Sequence, residues 1–588
     1  PPRLLRRQRQ MCIRDRRRPS RSAVLVVALA ALLAVSVWRL LADEAGLRRE
    51  AIQIGDTPAW VYRLEGSDPA PVVIVAHGFA GSRRLMEPLA LALAGRGYVA
   101  LTYDFLGHGR HPLPMRGDLE TSDAESTTAY LLRQTDEVVR AATTLTGGDG
   151  RLALVGHSMA TDILVRYAQD GVGLGGDGAA APPSRPSPHT GIAATVGISM
   201  FAPTVDSTSP RNLMAIAGEW EARLTAEGRR VVAMVAGVDS AGVRPFRTYG
   251  DPRAGTGRRL AIAPHVEHVG VLYSSTTLEE TVAWLDQALP RDETVAAGET
   301  AGGGRSLAGG DEVVVGAQQR TPRAPGEVRG RGRGLWIALL MAAVFLLARP
   351  LSGALPRVSV RPLGAGASWR RLLLVTGVPA LATPLILRPL PTSFLPVVVA
   401  DYVAVHFLMV GILSGALLWW TGGRPGIGEI VRSATDAQPG PGVARTLVGA
   451  ALTVDFFLLL VALPLDRFFT SFVPVAGRIP LLLAVLVGTL PYFLADEWMT
   501  RGANAPRGAY AATKVLFLVS LSLAVALDFE GLFFLVLIIP LIVVFFGIHG
   551  LLSRWAYRAT GSPLVAGLAN AFAFAWALAV TFPLYAGP

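Results

Sequence analysis

The sequence is nearly devoid of cysteine and lysine. Its one cysteine, Cys12, has no partner within the chain, so disulfide bridges are not what holds a domain together here. Lysine is reduced to Lys514, and the remaining basic residues are arginine. Charge is scarce as well: 17% of residues are charged against 51% hydrophobic, and the mean hydropathy is +0.41. A soluble protein of 588 residues does not need that much apolar material, whereas a membrane protein does. Zinc-ligand spacings and RNA-binding signatures are lacking. The net charge of +11 therefore does not point to nucleic acid. The arginines gather at the N-terminus, in a linker and between apolar runs, where membrane topology accounts for them. No cofactor and no metal site is expected.

Residues 1–22 are basic and are read as unreliable or disordered. Residues 23–41 are an apolar run flanked by arginines, a transmembrane anchor pattern with the N-terminus inside. A cleaved signal peptide is the competing reading. Between 50 and 290, short apolar runs (72–76, 99–103, 152–155, 194–200, 213–217, 260–263) alternate with helical stretches (85–94, 127–144, 161–169). The runs do not alternate polar with apolar, as expected of strands covered on both faces of a parallel sheet. The order predicts a three-layer α/β domain. Loops are expected at 110–126 and 171–190, and a flexible linker at 291–334. From 335 to 588 about eight apolar spans follow, near 335–351, 371–390, 394–420, 444–464, 480–495, 513–527, 532–552 and 563–586.

Alternate loops of this half hold nearly all its arginines, which predicts those loops inside and the α/β domain outside. Arg320, Arg323, Arg329, Arg331 and Arg333 oppose that assignment. Asp401, His406 and Asp455 fall deep in spans, where they either share a polar site or hydrogen-bond between helices. Asp466, Asp496 and Glu497 fall near span ends, where a solvated interfacial role is expected.

Three motifs carry chemistry. Gly156-His157-Ser158-Met159-Ala160 sits between a strand and a helix, with serine at the apex of a sharp turn. Such a turn presents the hydroxyl and aims the next N–H, that of Met159, at a developing oxyanion. His77-Gly78-Phe79-Ala80-Gly81-Ser82 follows the 72–76 run. Tyr103-Asp104-Phe105-Leu106-Gly107-His108-Gly109 follows the next. At this spacing the set resembles the α/β-hydrolase superfamily, in its monoacylglycerol-lipase-like or serine-aminopeptidase-like branch, over residues 51–290. Ala160, in place of the usual second glycine, is a mild departure.

The resemblance implies an α/β-hydrolase three-layer sandwich with a mainly parallel sheet, fused here to an all-α transmembrane bundle. It implies Ser158 as nucleophile and the Phe79 and Met159 N–H groups as oxyanion donors. An acid and then a histidine should follow in that order. For the histidine, His268 is preferred to His265. For the acid, Glu221 is preferred to Asp239, which would require a strand at 231–236. His77, His108, His157 and Asp104 read as structural.

The expected protein is a membrane-anchored serine hydrolase acting on a small or lipid-like ester or related acyl compound. It would lie in a bacterial cytoplasmic membrane with the catalytic domain extracytoplasmic. A transporter or channel with an accessory α/β domain and a membrane acyltransferase are the alternatives. Lids commonly follow the strand near 194–200, but no large insertion occurs there. The site is therefore open, or covered by the 110–126 and 171–190 loops, or covered by the helical half.

Overall fold

A computed structural model describes residues 21–119, 125–171, 191–290, 328–426 and 442–587. The expected N-terminal stretch to residue 20, most of the 171–190 loop and the linker up to 327 lie outside them. Helix α1 (Arg21–Ala42) leads into a hairpin, β1 (Leu47–Ile54) and β2 (Thr57–Leu64). The chain continues through β3 (Ala70–Ala76), α2 (Glu87–Gly95), β4 (Val99–Tyr103), α3 (Thr127–Thr143), β5 (Gly148–His157) and α4 (Met159–Asp170). Then come β6 (Ile192–Ile198), β7 (Leu213–Gly218), α5 (Ala222–Ala236), β8 (Thr248–Tyr249), β9 (Arg258–Ala263) and α6 (Ser275–Ala288).

The nine strands form one sheet in the order β1-β2-β4-β3-β5-β6-β7-β9-β8. From β4 to β9 every pairing is parallel; β1, β2 and the two-residue β8 join antiparallel. Strands β3, β4 and β7 are buried at every residue, as their unbroken apolar runs demand. Helices α2 and α6 cover one face, and α3 and α4 the other. The rival strand at 231–236 does not form: Val231 and Val232 are the buried face of α5, packed under β7 and β9. The hairpin β1–β2 was not anticipated, because β1 is largely exposed and carries Arg48, Arg49 and Glu50.

The remaining chain is helical: α7 (Arg333–Leu351), α8 (Trp369–Leu387), α9 (Ala400–Thr421), α10 (Gly442–Phe456) and α11 (Leu463–Phe468), with a π-helical stretch at Phe457–Ala462 joining the last two. Helices α12 (Ile479–Thr500), α13 (Ala509–Leu527), α14 (Phe533–Thr560) and α15 (Pro563–Thr581) complete it. Counting α10–α11 as one span and adding α1, nine described helices are long and apolar enough to cross a membrane.

The two halves meet along a polar seam. Arg333, fully buried, donates to Glu87 at 2.6 Å and to the Leu40 carbonyl at 3.1 Å. Arg467 pairs with Glu44 at 2.5 Å, and Asp466 takes Arg110 at 2.8 Å. Asp466 is therefore not a solvated span end but a buried partner of the sheet domain. Gly107, at φ +74°, accepts from Arg478 at 2.7 Å and from the Leu584 N–H at 2.9 Å, and donates its own N–H to the Leu113 carbonyl. The arginines that opposed the expected orientation are occupied: Arg329 donates to the Asp43 and Ala45 carbonyls, and Arg331 pairs with Glu279. Arg320 and Arg323 lie outside the described residues.

Asp496 and Glu497 are also not solvated. Asp496 pairs with Lys514 and accepts from Thr513 at 2.7 Å, while Glu497 accepts from Ser553 at 2.5 Å and Arg501 at 3.1 Å. Asp401, His406 and Asp455 do not gather into one site. Asp401 accepts from the Phe394 and Tyr402 N–H groups, His406 bonds Ser520 at 3.0 Å, and Asp455 stands apart on α10.

Breaking a buried ion pair strands its partner. Glu87→Gln should destabilise the chain by about 3–5 kcal/mol, while Glu87→Met with Arg333→Met should recover most of the loss. Denaturant unfolding of the detergent-solubilised protein checks this; an unchanged midpoint in Glu87→Gln would show that the seam contributes little.

Candidate active site

At the end of β5 the chain turns sharply. Ser158 has φ 54° and ψ −120° and precedes α4. A non-glycine residue in the left-handed region stores strain, and the surroundings hold it. Its N–H donates to the Ile198 carbonyl at 2.9 Å, and its carbonyl accepts from Thr161. Gly78 lies directly above: a Cβ there would stand 2.8 Å from the Ser158 Cβ and 3.0 Å from the His157 carbonyl. Only glycine lets the 77–82 loop come so close to the serine.

Ser158, His268 and Glu221 lie in line. His268 Nε2 is 2.8 Å from Ser158 Oγ, and Nδ1 is 2.6 Å from Glu221 Oε1. Since the carboxylate only accepts, Nδ1 carries the proton and Nε2 is free to accept from the serine hydroxyl. Glu221 Oε2 accepts from the Gly218 N–H at 2.7 Å and from Ser199 Oγ at 2.8 Å. Burial pushes the Glu221 carboxyl up. The hydrogen bonds from His268, Gly218 and Ser199 outweigh that and leave it below its usual value.

His265 and Asp239 lie elsewhere. His265 is exposed beside Glu219, and Asp239 caps a short 3₁₀ turn at Ser240–Gly242. The Phe79 and Met159 N–H groups have no acceptor among the described residues. Ser199 was not singled out from the sequence; nothing marks a serine after β6 except the carboxylate it meets in space.

The other histidines support the loops. His157 Nε2 bonds the His268 carbonyl at 2.8 Å. His77 accepts the Phe105 N–H at Nε2 and bonds the Gly78 carbonyl at 2.8 Å through Nδ1. Buried Asp104 pairs with Arg83 and accepts the Arg83 N–H at 2.7 Å. Burial pushes His157 down to about 3, and it lowers His77 and His108 as well. Among the described residues no group of three His, Cys, Asp or Glu could hold a metal ion.

Residues 67–200 match the family described as Hydrolase_4, serine aminopeptidase S33. The chain carries an α/β-hydrolase domain. Solved structures align with it at low overall similarity. A dienelactone hydrolase from Anabaena variabilis is 16% identical, covering 41% of this chain and 97% of its own, with a TM-score of 0.29. A putative dienelactone hydrolase from Klebsiella pneumoniae is 17% identical, covering 41% and 99%, at 0.26. An epoxide hydrolase from Vigna radiata is 19% identical, covering 27% and 42%, at 0.19. TM-scores this low carry no information on chemistry. No curated protein matches the chain significantly.

Its buried neutral histidines make the hydrolase domain sensitive to acid. Held below 6.5 when folded, they take up protons later than in the unfolded chain, so stability falls with pH below about 6.5. Between pH 7 and 5, above the carboxylate range, the thermal midpoint should decline, and His157→Gln should flatten the slope. A pH-independent midpoint over that interval would contradict the assignment.

Proposed function

We propose that this chain is a membrane-anchored serine hydrolase that cleaves an ester or related acyl bond through an acyl-enzyme. The observation that carries the reading is the unbroken line from Ser158 Oγ through His268 to Glu221. In this reading His268 Nε2 takes the serine proton as Oγ attacks the acyl carbon, then returns it to the leaving group. Glu221 fixes the tautomer and stabilises the imidazolium. The Phe79 and Met159 N–H groups receive the oxyanion. Water, activated by the same histidine, then releases the acyl group.

The surroundings favour a lipid-like acyl substrate. The Phe79 ring stacks on Phe534 of α14 at 4.3 Å between centroids. Phe533 and Phe529, both exposed, continue this aromatic row at 5.9 and 5.7 Å. An apolar track thus runs from the helix ends to the loop above the serine. Phe201 and Trp220, 60% and 66% exposed, add apolar surface beside the Thr161 and Glu221 positions.

The charge distribution supports an orientation. The hydrolase domain contacts the ends of the bundle at 466–478, 534 and 582–586. Arg467 and Arg478 on that side are engaged by Glu44 and by backbone carbonyls. The opposite ends hold Arg357, Arg361, Arg370, Arg371, Arg501, Arg507, Arg554 and Arg558. That bias supports an inside location for those ends and an extracytoplasmic hydrolase domain.

On p-nitrophenyl esters, Ser158→Ala and His268→Ala should each lower kcat/KM by several powers of ten, and Glu221→Gln by orders of magnitude. Asp239→Asn and His265→Ala should retain turnover. A dead His265→Ala beside an active His268→Ala would sink the assignment. In the wild type, kcat/KM should rise with acyl length, and Phe534→Ala should reduce the long-chain rate more than the short.

A further inference from the structure

The helical half contains a second site, remote from Ser158. A cavity of about 360 Å³ opens between the C-terminal end of α7, the C-terminal end of α10 with the π-helical stretch after it, α14 and α15. That is within the ~300–1,000 Å³ range of small-ligand pockets. Its walls are mostly aliphatic and aromatic, with a few polar groups, and no arginine or lysine lines it.

Two of the polar groups set the chemistry. Asp455 lies midway along the Gly442–Phe468 span, lines the cavity and is exposed. Among the described residues nothing pairs with its carboxylate. An unpaired carboxylate halfway along an apolar span is costly, and such residues mark functional sites. Two residues on, the helix widens into the π-helical stretch Phe457–Ala462, a distortion frequent at functional sites.

The second group is His549 on α14. Its Nδ1 is 3.0 Å from Asn570 Oδ1, and Asn570 Nδ2 in turn donates to Glu497 at 3.3 Å. That chain of bonds places the His549 proton on Nδ1 and leaves Nε2 as an acceptor. The cavity therefore offers a carboxylate and an imidazole lone pair inside an apolar chamber. Both ask for a donor, and the carboxylate asks for a positive one.

We infer that the cavity binds a single-chain alkylammonium compound, its protonated amine donating to Asp455 and His549 and its chain lying against the apolar wall. A headgroup that also carries a phosphate does not fit, because no cation lines the cavity to meet it. A quaternary ammonium would satisfy the charge but has no N–H for His549. The site rests on the bundle being membrane-embedded, and does not depend on the hydrolase chemistry.

The test is equilibrium binding of radiolabelled dodecylamine to the full chain in nanodiscs, reading the saturable component above that of empty nanodiscs. Saturable binding displaced by unlabelled dodecylamine but not by dodecanol is expected. Asp455→Asn should weaken it at least about tenfold, the range of a lost charged hydrogen bond. Equal displacement by dodecanol, or unchanged affinity in Asp455→Asn, would overturn the site. If Asp455→Asn does not assemble as a monodisperse protein, the amine-against-alcohol comparison on wild type decides alone. Retention of the chain in the membrane pellet after alkaline carbonate washing tests the embedding separately. Lost binding with intact retention counts against the site only.

Discussion

The buried Arg333–Glu87 ion pair is the joint on which the arrangement of the two halves depends. Arg333 opens the first helix after the linker, and Glu87 opens the helix that follows the 77–82 loop. Neither side chain reaches water, so each needs the other. Around them Arg49, Tyr62, Glu44 and Arg467 extend the network from the sheet to the far end of α11. One consequence is positional. With α2 fixed against α7, the 77–82 and 104–117 loops are set down on the ends of the bundle. There Ser82 bonds Thr470 and Ser471, and Phe79 meets Phe534. The loop above the serine therefore belongs to both halves.

That shared loop bears on how the serine is served. Gly78 lets backbone approach Ser158 at van der Waals contact, and the strained φ of Ser158 lifts its hydroxyl toward His268. The neutral histidines tie the loops on either side together, His77 by accepting the Phe105 N–H and His157 by bonding the His268 carbonyl. The lid position after β6 is short, and the bundle contributes an aromatic row to the mouth instead.

The parallel core was legible because strands covered on both faces read as unbroken apolar runs, and β4 falls on the expected residues. The eight described spans from residue 333 onward were legible for a similar reason, since length and hydropathy suffice. What was hidden depends on partners distant in the chain. Strand β1 is polar because it is a sheet edge, so its composition gave no strand signal; only the Gly55-Asp56 pair between two runs hinted at a hairpin. Asp496 and Glu497 sit near a helix end yet are buried, because Lys514, Ser553 and Asn570 arrive from three other helices. Ser199 becomes meaningful only once Glu221 is beside it. At 231–236 the valines suit either a strand or a helix face, and the helical spacing over 222–236 prevailed.

The central claim is that Ser158 is an activated nucleophile. Its most direct measurement is treatment of the purified full-length protein with a fluorophosphonate, followed by intact mass and peptide mapping. The account predicts one stoichiometric adduct on Ser158, absent from Ser158→Ala and strongly slowed in His268→Ala. A folded wild-type protein that remains unlabelled, or that is labelled on another residue, would contradict it.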